Sequence, residues 1–95
     1  MDSLALKSGE LVLVRHGETE WSRRGRHTGH SDLPLTQAGE AAARRLAPLL
    51  ATASFAMVRC SPLLRARQTA ALAGFASAMA LDADLREWDY GVYEG

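Results

Sequence analysis

Cysteine, net charge and unbroken apolar sequence are all scarce in this 95-residue chain. Its single cysteine, Cys60, excludes an internal disulfide and any paired-thiolate metal site. Within FAMVRC it stands at the end of a short apolar run, where a small buried residue is expected. Eleven basic side chains offset eleven acidic ones, so no global charge draws the chain to nucleic acid or anionic lipid. Aromatics do not interleave with a wider basic face, which leaves a nucleic-acid role the least supported. No run approaches the roughly 18 apolar residues of a membrane helix. The opening MDSLALKSGE, acidic at position 2, does not read as a signal peptide. What remains is a cytoplasmic protein of one small domain or part of one, hiding about 60–65% of its unfolded surface.

What is present is ordered. Residues 10–15 read as a strand, because Leu11, Val12, Leu13 and Val14 form a continuous apolar run suited to a sheet covered on both faces. Residues 17–35 show no periodicity, and Gly17, Gly25, Gly29 and Pro34 mark a long loop of the kind that usually carries function. Thr36 looks like an N-cap, followed by Ala38, Ala42, Leu46 and Leu49 at helical spacing, with Pro48 expected to end that helix. Residues 55–60 form a second expected strand. Pro62 suits a first helical turn, and an alanine-rich helix should run over 65–73 and close at Gly74. Residues 79–81 form a third expected strand before the irregular LREWDYGVYEG. Alternating strands and helices predict an α/β layer sandwich with a mainly parallel sheet.

Ligands of such sheets sit beyond the carboxyl ends of the strands. Arg15 and His16 follow the first expected strand, Arg65 the second and Glu87 the third. An imidazole is a competent nucleophile near neutral pH. Phosphoryl transfer asks mainly for positioning and charge stabilisation, and guanidinium forks match phosphoryl oxygens better than ammonium groups do. Ten of the eleven basic residues are arginine. A carboxyl group such as Glu87 can give a proton to a departing alkoxide. Each residue also has an ordinary structural role; the combination carries the signal.

Four stretches, LVRHGETEWS, TGHSDLPLTQAGEAAA, SPLLRARQTA and LREWDYGVYEG, together resemble the N-terminal half of the histidine phosphatase superfamily, which includes phosphoglycerate mutases and sugar bisphosphatases. The resemblance implies a phosphoglycerate mutase-like three-layer fold, of which residues 1–95 would be the N-terminal portion of a single domain. It also implies His16 as the nucleophile, Arg15 and Arg65 as phosphoryl binders and Glu87 as proton donor and acceptor. Substrate contacts are implied for Gly17, Ser22, His27, Thr28, Gly29 and Tyr90. No cofactor or metal is implied, the expected partner is a small phosphorylated substrate, and there is room for a homo-oligomer.

Two departures qualify this. The family's second site histidine comes from its C-terminal half, and the order of His27 and His30 in the chain does not let them take that place. The chain is therefore expected to be truncated and doubtful as a catalyst alone. Ser22, where mutases usually carry asparagine, together with EWDYG, favours hydrolysis over mutase activity. Hydrolysis of a small phosphate monoester such as a sugar phosphate is the leading reading. A mutase and a non-catalytic phosphate-binding module stand beside it. Arg23, Arg24 and Arg26 are either a solvated loop or the holders of a second phosphate.

Overall fold

The computed structural model describes Leu6, residues 9–87 and residues 91–94. Its sheet is a parallel pair of strands, β1 (Val58–Cys60) and β2 (Met79–Leu81), in the register Val58 to Met79, Arg59 to Ala80 and Cys60 to Leu81. Asp82 extends the ladder by donating its backbone N–H to the Cys60 carbonyl at 2.8 Å. Parallel neighbours require a crossover. A helix, α3 (Leu64–Ala70), and a π-helical turn over Ala71–Phe75 supply it. The crossover closes at Gly74, whose φ of 108° lies where only glycine goes at little cost. Phe75 meets Phe55 edge to face at 5.8 Å, on the far side of the crossover.

The second long helix, α2 (Gln37–Leu50), starts where Thr36 predicted: its hydroxyl accepts the Gly39 N–H at 3.1 Å. Two expectations for it are corrected. Pro48 lies inside the last turn and the helix runs on to Leu50, because a proline there removes only one late hydrogen bond. The buried stripe is also displaced from the expected Ala38, Ala42, Leu46 and Leu49. Ala38 is exposed, and Gly39, Ala43 and Leu50 are the buried residues. Glycine does not count as apolar in a periodicity, yet it is what brings this helix close. A Cβ on Gly39 would collide with the Glu18 backbone, and one on Gly17 would stand 2.7 Å from the Gly39 carbonyl oxygen.

The expected strand over residues 10–15 is not formed. Residues 11–14 pair with no strand among the described residues, and Leu11 and Leu13 are 81% and 84% exposed. A strand needs a neighbour to receive its N–H and C=O groups, and β1 and β2 use only each other. The apolar run instead walls a broad cleft of about 1070 Å³ with Phe55, Met57 and Ala73. Among the described residues, no helix is long and apolar enough to cross a membrane.

Candidate active site

The loop over residues 17–35 is long but not loose. Its ends meet in an antiparallel bridge between Thr19 and Leu35, and Thr36 N–H donates to the Glu18 carbonyl at 2.8 Å. Inside it a short helix, α1 (Glu20–Arg23), is closed by a reciprocal capping box. The Thr19 hydroxyl accepts the Ser22 N–H at 3.1 Å, and the Ser22 hydroxyl accepts the Thr19 N–H at 2.9 Å. Thr19 is completely buried. No helix was expected within residues 17–35, and Thr19-x-x-Ser22 carries serine where the usual capping box has glutamate or glutamine.

One face of α3 holds the rest of the loop. Arg65, only 2% exposed, donates from Nη1 to the Ser31 carbonyl at 2.8 Å and from Nη2 to the Gly29 carbonyl at 2.7 Å. Gln68 Oε1 accepts the Leu35 N–H at 2.8 Å, and Thr69 Oγ1 accepts the Gly17 N–H at 3.0 Å. Residues 65, 68 and 69 share a helix face by the i, i+3, i+4 rule. The loop reciprocates: Asp32 Oδ1 accepts the Leu64 N–H at 2.5 Å, capping a helix whose own N-cap, Leu63, has no side-chain acceptor. Glu94 Oε1 completes the clamp by accepting the N–H groups of Ser31 at 2.7 Å and Gly29 at 3.3 Å.

This framework shapes a cleft of about 270 Å³. Arg15, His16 and Glu87 line it together with Ser22, Arg26, His27 and Thr28. Six of the expected site residues thus converge, drawn from positions 15 to 87. His16 Nδ1–H donates to the Gly17 carbonyl at 2.7 Å. A carbonyl oxygen can only accept, so in the neutral ring the proton stands on Nδ1 and the lone pair on Nε2. Gly17 is itself held on its other side, where its N–H donates to Thr69, whose hydroxyl donates to the Arg65 carbonyl at 2.8 Å.

The other expected residues stand elsewhere. Arg65 walls the broad apolar cleft, which shares Arg15, His16 and Glu87 with the smaller one. Gly17 lines neither cleft. Its φ is not positive, so its lack of a side chain serves the close approach of α2 rather than a sharp turn. Gly29 is buried with its N–H and C=O both engaged. Ser22 touches the cleft while its hydroxyl caps α1. Tyr90 lies outside the described residues. Thr69, Gln68, Asp32 and Gly39 were not singled out from the sequence, although SPLLRARQTA contains the first two. Cys60 is buried, which pushes its thiol pKa up and is only partly offset by Arg67, so it stays protonated at neutral pH and is no nucleophile. Among the described residues, no group of three or more histidine, cysteine or acidic side chains could hold a metal ion.

Comparison with known proteins bears on what such a cleft does. The model of the histidine phosphatase superfamily (branch 1) matches residues 11–95. An acid phosphatase of Mycobacterium tuberculosis is 42% identical over 94 residues, covering 97% of this chain and 46% of its own. Sedoheptulose 1,7-bisphosphatase of Saccharomyces cerevisiae is 40% identical over 88% of this chain and 36% of its own. The crystal structure of a phosphoglycerate mutase from Thermus thermophilus superposes with a TM-score of 0.75 at 53% identity, over 85% of this chain and 44% of that one. The α/β fold with its parallel sheet is therefore phosphoglycerate mutase-like, and the chain spans less than half the length of these relatives.

Proposed function

Because the chain belongs to the histidine phosphatase superfamily, we propose that the full-length protein hydrolyses a small phosphate monoester, such as a sugar phosphate, through a phosphohistidine on His16. The observation that carries this reading is the convergence of Arg15, His16 and Glu87 on one small cleft, with the His16 ring held so that Nε2 keeps its lone pair. Nε2 attacks phosphorus, the N–P bond forms and the P–O bond to the alcohol breaks. Glu87 gives its proton to the departing alkoxide. A water molecule then attacks the phosphohistidine and loses a proton to Glu87, the N–P bond breaks, and inorganic phosphate leaves. Arg15 balances the charge on the equatorial oxygens. A preorganised donor of this kind is worth about 10²–10³ in rate. Arg65 engages two of its five N–H groups in the loop carbonyls, so three remain to serve the same oxygens.

Incubation with an ester labelled on phosphorus, followed by quenching, tests this. Acid-labile, alkali-stable label on His16 together with free phosphate is the expected result. His16→Ala should abolish both while ester binding persists through Arg15. Normal turnover by that variant would falsify the nucleophile assignment. Mutase activity is the second reading, favoured by the likeness to the Thermus thermophilus phosphoglycerate mutase. It would appear as label passing to a second hydroxyl instead of to water. Binding without labelling would leave a phosphate-binding module.

A further inference from the structure

The stretch LREWDYGVYEG carries two glutamates, and the proposed reaction uses only Glu87. Glu94 lines neither cleft. It follows a short 3₁₀ turn (Gly91–Tyr93) and donates its own N–H to the Gly91 carbonyl at 3.2 Å. Gly91 starts that turn with φ at +58°, a conformation open to glycine at little cost. From there one oxygen, Oε1, reaches residues 65 and 63 positions earlier in the chain, accepting the N–H of Gly29 and that of Ser31. Arg65 takes the same two residues by their carbonyls. Gly29 and Ser31 are thus each held twice, by an acid at the N–H and by a base at the C=O.

The arrangement restrains in both directions. Arg65 is only 2% exposed, and the loop carbonyls take one N–H from Nη1 and one from Nη2. A guanidinium is a rigid planar fork, so fixing two of its N–H groups sets the direction of the other three. Where those three point therefore depends on where Gly29 and Ser31 lie, and Glu94 is what holds the N–H groups of both. We propose that Glu94 is a positioning residue for phosphoryl binding: by fixing residues 29–31 it aims the remaining N–H groups of Arg65 at the phosphoryl oxygens. This rests on the phosphoryl-transfer reading of the site. The carboxylate acts as a double acceptor, and it touches neither the substrate nor the reacting atoms.

Binding of inorganic phosphate to the full-length protein, followed by calorimetry, tests this apart from turnover. A charge-assisted contact corresponds to about 10–100-fold in affinity. Glu94→Ala should weaken phosphate by about tenfold, because Arg65 is left misaimed. Glu94→Gln keeps an acceptor oxygen at the same reach and should bind within about threefold of the wild type. Each variant is measured well below its unfolding midpoint, where nearly all of it is folded and lost stability alone does not change affinity. In an Arg65→Lys background no planar fork remains to be aimed, so adding Glu94→Ala should change affinity by no more than about twofold. A full tenfold loss in that background would overturn the proposal. So would Glu94→Ala binding phosphate as the wild type does, equal weakening by Gln and Ala, or a wild type that binds no phosphate. Hydrolysis of phenyl phosphate by the wild type tests the reaction separately. A wild type that binds phosphate without hydrolysing the ester would sink the phosphatase reading and leave the positioning result standing.

Discussion

Two adjacent segments behave in opposite ways. Residues 17–35 have little regular structure, yet they are held down from end to end. Residues 11–14 have the strongest strand signal in the chain, yet they lie open with Leu11 and Leu13 mostly exposed. Order here follows where the backbone hydrogen bonds go, not local propensity. The loop's N–H and C=O groups find side chains: Thr69 for Gly17, Arg65 and Glu94 for Gly29 and Ser31, and Gln68 for Leu35. Side-chain partners satisfy a backbone as well as a ladder does. The apolar run has only side chains to bury, and its partners must come from a neighbouring strand.

The largest test of this contrast is to cut the loop at its most buried support. Arg65→Ala leaves the Gly29 and Ser31 carbonyls without their donors and should cost about 3 kcal/mol or more, at about 1–3 kcal/mol per orphaned group. Arg15→Ala, an exposed arginine of the same cleft, should cost no more than about 0.5 kcal/mol. Denaturant midpoints of the two variants measure the difference. Equal losses would mean that Arg65 is not the loop's clamp.

Thr69→Val probes the same network one step closer to the chemistry. Valine keeps the shape but removes the acceptor of the Gly17 N–H, at a cost of about 1–2 kcal/mol. The expected signature is a fall of about tenfold in kcat with KM little changed, as His16 loses its fixed orientation. Thr69→Ser should restore it. A valine variant that lost stability but kept kcat would reduce Thr69 to packing.

The smallest effect is expected on the open side. Leu13→Ser should move the stability of the 95-residue chain by less than about 0.5 kcal/mol, because little apolar surface there is buried. A loss of 2 kcal/mol or more in thermal or denaturant unfolding would show that the run is covered in solution.

Legibility followed the range of the interaction concerned. Thr36 as a cap, Gly74 as a stop and the strands near 58 and 79 were all readable, because capping, positive φ and short apolar runs are local properties. Six of the expected site residues do line one cleft, since the quoted motifs carry their chemistry in the residue types themselves. The displaced stripe of α2 and the unpaired run over residues 11–14 were not readable. Gly39 is buried because the Glu18 backbone lies against it, and no window of sequence contains both. The role of Arg65 toward Gly29 and Ser31 spans more than thirty residues and is invisible for the same reason.

Sequence alone determined which groups were available: a nucleophilic imidazole, guanidinium forks, a carboxyl group, and the local turns between them. Tertiary structure decided which of those groups share a space. It put Arg26 on the wall of the cleft and held Arg23 and Arg24 against Glu20. It also made Arg65 the fastening of a loop as well as a neighbour of the cleft. The physical reason is that a side chain's chemistry is intrinsic, whereas its partners depend on contacts between residues far apart along the chain.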